Sequence, residues 1–189
     1  MRKFLFVTIL FLFNLSVNAQ TDSIPLNENG AYERKEVIQV DGATASTLFD
    51  RAMIALTEWT GADGKSKVGI DYQNQESHIV VYKGTYYLGF KKTMLRAGWD
   101  RYANFSLKVR CKDGKAQIIV TVDGITGIYN TNGVTKYYPM REILDITNDS
   151  KGKKKKRREE FVNDITSGAN NIVSAMCEKL KSTNNNDDF

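Results

Sequence analysis

The sequence predicts an α+β domain in which an antiparallel sheet of about five strands carries two helices on one face. Three observations predict it. Apolar and polar residues alternate in several short segments, two longer segments repeat apolar residues every three or four positions, and short polar turns join the central segments. The order is strand, helix, four strands, helix. The other face of such a sheet is left to solvent or to a partner.

The first strand is predicted over residues 32–40 and ends before Gly42. The first helix follows, because apolar residues recur at helical steps and form one face. They are Leu48, Phe49, Ala52, Met53, Leu56 and Trp59. Thr47 and Asp50 have the spacing of a capping box at its start, and Gly61 suits its end.

The remaining strands form an antiparallel meander. They are predicted over residues 67–73, 77–90, 101–111 and 115–122. Residues 101–111 alternate most regularly, with Phe105 and Leu107 on the apolar side. The Asp113-Gly114 dipeptide predicts a hairpin turn, because it tolerates the positive φ that such turns need. The alternation therefore predicts a sheet with one wet face.

The C-terminal part is predicted to contain an irregular segment and a long helix. Residues 124–149 are rich in Gly, Thr and Asn, which favours irregular chain. The apolar stripe of the last helix comprises Phe161, Ile165, Ala169, Ile172, Val173, Met176 and Leu180. A single domain is thus expected over residues 32–182, after a flexible lead-in over residues 20–31 and before a disordered tail over residues 183–189.

The N-terminus has the order of charges, apolar residues and small residues that is typical of an export signal. Arg2 and Lys3 precede an apolar run over residues 4–13, which is too short to span a bilayer core of about 30 Å. Residues 1–19 are therefore interpreted as a signal peptide cleaved after Ala19. The mature protein is expected in the periplasm, at the cell surface or secreted.

Basic charge is concentrated in one run, KGKKKKRREE, over residues 151–160, which holds seven basic and two acidic residues. Three interpretations are open: a solvated linker before the last helix, docking on anionic lipid headgroups, or nucleic-acid binding. The residues proposed to meet an anionic surface are Lys153, Lys154, Lys155, Lys156, Arg157 and Arg158. Export and the confinement of charge to one run argue against a nucleic-acid partner.

The only two cysteines, Cys111 and Cys177, both lie on predicted apolar faces. In an exported chain they could form one disulfide. The strict geometry of a disulfide favours the alternative, in which they are two separate buried thiols that pack as small hydrophobes. Both alternatives remain open from the sequence.

Aromatic residues are concentrated in or beside the predicted strands. They are Tyr72, Tyr82, Tyr86, Tyr87, Phe90, Trp99, Tyr102, Tyr129, Tyr137 and Tyr138. A subset is selected as a ligand-binding platform on the open face: Tyr82, Tyr86, Tyr87, Trp99 and Tyr102. The alternative is ordinary sheet packing, because aromatic residues favour strands in any case.

No catalytic, cofactor or metal motif stands out. His78 is the only histidine, and the chain lacks a Gly-rich phosphate loop or a nucleophile elbow. We therefore expect a non-enzymatic binding or interaction module without a cofactor or metal, whose partner is an unknown protein, glycan or peptide. One alternative is an envelope-associated structural component that docks to anionic surfaces through residues 151–158. Another is a hydrolase whose acidic site is assembled by folding.

Several segments carry a resemblance to a known family. They are the export signal, the strand ending in VIQVDG, the helix STLFDRA, the strand IVVYKGT and the hairpin FSLKVRCKDGKAQIIV, within residues 30–125. Together they resemble exported bacterial domains of unknown function with a TATA-binding-protein-like fold. The resemblance implies a curved antiparallel sheet with two helices. It implies no activity and no DNA binding, because fold does not determine function.

Overall fold

The computed structural model describes residues 26–57, 64–92, 97–148 and 153–182, which form six strands and three helices. The strands are β1 (Tyr32–Gln39), β2 (Lys67–Asn74), β3 (Ile79–Lys92), β4 (Gly98–Lys112), β5 (Lys115–Tyr129) and β6 (Thr135–Pro139). The helices are α1 (Ala45–Thr57), α2 (Met140–Asn148) and α3 (Lys153–Lys181). The predicted signal peptide and C-terminal tail lie outside the described residues.

The six strands form one antiparallel sheet in the order β1-β5-β4-β3-β2. The outer edge of β5 is shared, because β1 pairs with residues 115–122 and β6 with residues 124–128. β4 and β5 lie at the centre and are the longest strands, at 15 residues each. The predicted antiparallel α+β fold is confirmed, with β6 added at the shared edge.

The side chains of β4 show how the two faces of the sheet differ. Ala103, Phe105, Leu107, Val109 and Cys111 are buried, and the residues between them are not. The buried set joins apolar residues of α1, α2 and α3 in one core. All three helices thus cover the same face, and we call the other face the open face.

Two β-bulges shift the alternation at one end of the sheet. Asp123 is an extra residue in β5 opposite the step from Asn104 to Phe105, and Leu88 is an extra residue in β3. Each bulge inverts the side to which the following residues point. Ile125, for example, is buried in the core three residues after the equally buried Val122.

Residues 124–149 were interpreted as irregular chain with room for a short strand or turn, whereas residues 124–148 form mostly regular structure. β5 continues to Tyr129, and β6 and α2 follow. Glycines within a strand indicated a loop, but here they make room for rings. A Cβ at Gly127 would lie 2.1 Å from Cε3 of Trp99, and one at Gly124 would lie 2.7 Å from Cε2 of Tyr137.

Both helix starts differ from the predictions. α1 begins at Ala45, where Oγ1 of Thr44 accepts a hydrogen bond from the Thr47 N–H at 3.1 Å. Thr44, rather than Thr47, is therefore the capping residue. The basic run was expected to precede the last helix, but α3 already begins at Lys153. Packing of the later turns, including buried Ile165, stabilises this helix although cations at its first turn oppose the macrodipole.

The lead-in ends in a tight turn. Leu26 pairs with Tyr32 in an isolated bridge, and Oδ1 of Asn27 accepts hydrogen bonds from the N–H groups of Asn29 and Ala31. The described part of the lead-in, residues 26–31, is therefore folded against the start of β1.

Both cysteines are free thiols, so the disulfide alternative does not describe this structure. Burial raises the pKa of the Cys111 thiol to about 11. Cys177 lies on α3 near the charges of Glu36 and Arg34 on β1. Because β5 separates β1 from β4, the two thiols lie over strands about 10 Å apart, and a disulfide needs Cα atoms less than about 7 Å apart.

Candidate functional site

Aromatic and apolar side chains gather at one end of the open face, where Phe90, Ile128 and Tyr137 are exposed and Tyr87 and Tyr102 are half-buried. This aromatic zone comprises Tyr87, Phe90, Tyr102, Ile128 and Tyr137, from strands β3 to β6. Strand pairing places Tyr87 opposite Tyr102, and Thr126 between Tyr102 and Tyr137. Large apolar side chains clustered in solvent are typical of a contact surface rather than of a core.

A hydrogen-bonded network holds one side of the aromatic zone. Tyr87 and Tyr102 contact each other with ring centroids 5.3 Å apart. The Tyr87 hydroxyl donates to Oδ1 of Asp100 at 2.6 Å, and Nζ of Lys65 lies 3.3 Å from the same oxygen. Nζ of Lys65 also lies 4.3 Å from the Tyr87 ring centroid, so that ring face is already covered. Tyr102 is thus the more available ring of the pair.

The Tyr87 hydrogen bond is also the main reason why the pKa of Asp100 lies below its usual value; Lys65 contributes less. The Tyr87→Phe variant removes that bond, and we expect the pKa of Asp100 to rise. Any stability contributed by the ionised carboxylate is present above its unfolded-state pKa and is lost as pH falls through the lower folded-state pKa. In the variant, we therefore expect this stability to be smaller and to be lost at a higher pH.

An NMR titration of the Asp100 carboxyl carbon measures this shift. Tyr102→Phe is the matched control, because that hydroxyl makes no hydrogen bond to Asp100. An unchanged Asp100 pKa in Tyr87→Phe, or an equal rise in Tyr102→Phe, would contradict the assignment.

The other rings of the aromatic zone are both exposed and fixed by neighbouring glycines. Phe90 is 49% exposed, and its Cζ lies 2.2 Å from where a Gly98 Cβ would be. Tyr137 is 47% exposed, packs over Gly124, and donates from its hydroxyl to the Asp123 carbonyl at 3.1 Å. Their positions therefore depend on close backbone contact, which limits the rotamer freedom that a ligand would have to freeze.

Polar side chains occupy the middle of the open face. Nδ2 of Asn104 donates to Oγ1 of Thr126 at 3.0 Å, and the hydroxyl of Thr126 lies 3.1 Å from Oδ1 of Asn104. Ser106 follows on β4, with Lys83 opposite it on β3 and Thr121 opposite it on β5. This polar zone offers hydroxyl and amide groups that both donate and accept hydrogen bonds.

The hairpin end of the open face is basic. Its cationic zone comprises Lys108, Arg110 and Lys112 on β4 and Lys115 on β5. None of these four side chains forms a salt bridge within the part of the chain that the structure describes. Lys112 and Lys115 stand directly opposite each other. The nearby Asp113 carboxylate instead accepts a hydrogen bond from the Ala45 N–H at 2.8 Å.

The structure divides the aromatic residues selected from the sequence between the two faces. Tyr87 and Tyr102 lie together on the open face, but Tyr82, Tyr86 and Trp99 lie on the helix-covered face. Tyr82 is 1% exposed, and its hydroxyl donates to the Ala52 carbonyl at 3.1 Å. These three residues therefore cannot belong to an open-face platform.

Packing against neighbouring rings and helices accounts for the other two covered residues. The Tyr86 hydroxyl accepts a hydrogen bond from Nδ2 of Asn171 on α3 at 3.3 Å. Trp99 stacks on Tyr129 with centroids 5.5 Å apart and also contacts Phe161 of α3. For Tyr82, Tyr86 and Trp99, the packing interpretation thus describes what the structure shows.

Three members of the aromatic zone were not selected from the sequence. Phe90 and Tyr137 belong to the wider aromatic set, and Ile128 was not considered. Tyr87 and Phe90 are three positions apart, so strict alternation puts them on opposite faces, whereas the Leu88 bulge puts both on the open face. The only signals in the sequence were glycines near Phe90, namely Gly89 and Gly98.

His78 and the described start of α3 lie on the helix-covered side of the sheet. His78 is the turn residue before β3, with φ of 50°, and its ring contacts the edge of Phe49. The start of α3 lies over the covered face, because Glu160 pairs with Lys91 and Asp164 with Arg101. Among the side chains of the basic run that the structure describes, Lys156 is exposed.

The described residues contain neither a cluster of metal ligands nor a membrane-spanning helix. No three His, Cys, Asp or Glu residues there are grouped as a metal site would require. No helix among them is long and apolar enough to cross a membrane.

The fold and the open face define the class: an α+β domain whose single antiparallel sheet is covered by helices on one side and exposed on the other. Residues 35–122 match the model of the family described as a domain of unknown function (DUF4468) with TBP-like fold. This match confirms the resemblance found in the sequence. No curated protein matches the chain.

Two solved structures share the fold. A DUF4468 family protein from Bacteroides ovatus superposes with a TM-score of 0.61 at 14% identity, over 86% of this chain and 92% of that chain. A TBP-like protein from Parabacteroides distasonis also gives a TM-score of 0.61 at 14% identity, over 85% of this chain and 98% of that chain. At this identity the likeness shows the fold alone.

Proposed function

We propose that the chain is an exported, non-enzymatic binding module that contacts its partner through the open face. The observation that carries this proposal is the aromatic zone, where Phe90 and Tyr137 are exposed yet held by backbone contact. An exposed apolar patch lowers solubility, so it is expected where it contributes to binding.

The distribution of polar groups supports a binding role over a catalytic one. The Asp100 carboxylate is engaged by Tyr87 and Lys65, and a carboxyl with a lowered pKa is a poor proton donor near neutral pH. His78 contacts Phe49 in a turn remote from that carboxylate. A hydrolase with an acidic site assembled by folding is the competing function, and turnover of a bound compound would favour it.

The export part of the proposal depends on residues 1–19, which lie outside the described residues. Its support is the order of charged, apolar and small residues in the sequence. N-terminal sequencing of the protein from its native host should give Gln20 as the first residue, and a chain found in the cytoplasm with Met1 retained would contradict export.

The binding surface is tested by NMR shift mapping against a panel of purified compounds. The panel contains acidic and neutral oligosaccharides, acidic peptides and anionic lipid vesicles. For any compound that binds, we expect amide shifts on β3, β4 and β5, and weaker binding by the Phe90→Ala/Tyr102→Ala variant. Ile54→Ala is the matched control, because Ile54 is an exposed apolar residue on α1.

The outcomes separate a binding module from its alternatives. Shifts confined to the helices, or equal loss of affinity in the control, would overturn the open-face assignment. Chemical conversion of a bound compound would overturn the non-enzymatic one.

A second candidate function is docking to an anionic lipid surface through residues 153–158. It is favoured by the helical start of α3, which holds these six basic residues within less than two turns of one helix, with Lys156 exposed. Clustered Lys and Arg residues near such a surface contribute about 1 kcal/mol each. Binding to anionic vesicles that falls with salt, and that is lost when all six are replaced by Gln, is the expected result.

A further inference from the structure

We infer that the open face binds an acidic polysaccharide chain that lies along β4, with its rings at the aromatic zone and its acidic groups at the cationic zone. The inference deepens the proposed function and rests on it. It is drawn from the order in which three kinds of side chain follow one another on a single strand.

The outward side chains of β4 form a straight row. From Asp100, which is held by Tyr87 and Lys65, they continue through Tyr102, Asn104, Ser106, Lys108, Arg110 and Lys112. Because a strand rises about 3.3 Å per residue, the row from Tyr102 to Arg110 is about 26 Å long. A single sugar would occupy only one zone, so a ligand that uses all three must be an extended chain.

Each zone fits one part of a polyhydroxylated acidic chain. Aromatic faces attract the polarised C–H groups of a sugar ring, and Tyr102, Phe90 and Tyr137 supply such faces. The hydroxyl and amide groups of Asn104 and Thr126 can exchange hydrogen bonds with sugar hydroxyls. The cationic zone can then pair with carboxylate or sulfate groups through charge-assisted hydrogen bonds.

The charge arrangement of the cationic zone supports an anionic partner. Like charges directly opposite each other in an antiparallel pair destabilise the sheet, and Lys112 stands opposite Lys115. No carboxylate of the described residues forms a salt bridge with either of them. A bound anion would relieve this repulsion and make the pair favourable.

Other anionic partners fit the open face less well. A nucleic acid carries a phosphate at every nucleotide and favours cations along its whole length, whereas Asp100 lies within the aromatic zone. A lipid surface favours continuous apolar contact, whereas Asn104, Ser106 and Thr121 separate the aromatic zone from the cationic zone. A chain with rings and widely spaced acidic groups matches both features.

The experiment measures binding of defined probes to the full mature chain by isothermal titration calorimetry. The probes are a hyaluronan hexasaccharide, with one carboxylate for every two sugars, and a chondroitin sulfate hexasaccharide, which adds one sulfate for every two sugars. The comparison probes are a neutral maltohexaose, a single-stranded oligonucleotide and an oligoglutamate peptide. We expect at least one acidic oligosaccharide to bind about tenfold or more tightly than the neutral one, and its affinity to fall with salt.

Variants assign that binding to the cationic zone. Lys108→Gln/Arg110→Gln/Lys112→Gln should weaken the acidic oligosaccharide about tenfold or more, since each charge-assisted bond contributes more than a neutral one. The control Arg141→Gln/Lys179→Gln/Lys181→Gln removes the same net charge from exposed positions on α2 and α3 and should leave the affinity within about twofold. Equal thermal midpoints by circular dichroism show that both variants are folded.

The results distinguish failure of this inference from failure of the proposed function. Three results would overturn the assignment of the ligand as an acidic polysaccharide. They are equal affinity for acidic and neutral oligosaccharides, tighter binding of the oligonucleotide or peptide, and equal loss of affinity in the helix control. In those cases the proposed function stands if Phe90→Ala/Tyr102→Ala still weakens the bound probe. If the probes bind but no open-face variant weakens any of them, both fail. Absence of binding by every oligosaccharide overturns the inference alone.

Discussion

Replacing Leu107 by alanine is expected to lower the free energy of unfolding by about 2–5 kcal/mol. Leu107 is 0% exposed and lies on the covered face at the centre of β4, the middle strand of the sheet. Its truncation removes buried apolar surface and leaves a cavity between the sheet and the helices, which rigid neighbours fill only in part. Urea unfolding followed by circular dichroism measures the loss.

The neighbouring residue provides the control. Lys108 points to the open face and forms no salt bridge with any described residue. Lys108→Ala should change the free energy of unfolding by no more than about 0.5 kcal/mol. If Lys108→Ala were as destabilising as Leu107→Ala, the open face would be covered by something that packs on it, and the one-sided sheet would be contradicted.

The second large effect is expected at Gly84 in β3, which pairs with Val68 of β2. A Cβ at Gly84 would lie 2.1 Å from the Lys67 carbonyl oxygen and 2.9 Å from the Val68 Cα. Both are backbone atoms of the paired strand, which can retreat only by giving up ladder hydrogen bonds. Gly84→Ala should therefore cost about 1–3 kcal/mol or more, as overpacking does.

Gly69 on the facing strand gives the opposite expectation. No atom lies within 4 Å of a Cβ built at Gly69. Alanine in a strand interior is favoured over glycine by about 0.5–1 kcal/mol, so Gly69→Ala should slightly raise the urea midpoint. A Gly84→Ala protein as stable as Gly69→Ala would show that β2 and β3 are not held in the described register.

Local pattern was sufficient for β4, for the first half of β5 and for the described part of α1. Trp59 and Gly61, predicted at the end of that helix, lie outside the described residues. The alternation around Phe105 and Leu107 is strict because each of these residues faces a core on one side and solvent on the other. The same pattern was lost beyond Val122, where Gly124 and Gly127 replaced the expected apolar residues. Their role is visible only through Tyr137 and Trp99, whose rings occupy the space of the missing side chains.

The sequence predicted an aromatic site on the open face, but it identified only some of the residues of that site. Tyr87 and Tyr102 were selected, and strand pairing places them together. Tyr82 and Tyr86 were selected as well, although simple alternation already assigns even positions of this strand to the covered face with buried Val80. The cationic zone was missed because the run over residues 151–160 dominated the charge pattern, whereas Lys108, Arg110, Lys112 and Lys115 are dispersed among apolar residues.

The sequence by itself determined that this is an antiparallel sheet with helices on one side, and that basic charge and aromatic residues are its distinctive features. Only the tertiary structure decided which of those residues share a surface. The reason is that side-chain alternation is a local property of the backbone, whereas the bulges at Leu88 and Asp123 depend on how distant strands pair. One extra residue in a strand reverses the face to which all later side chains of that strand point. The apolar periodicity within the strand does not show where this reversal occurs.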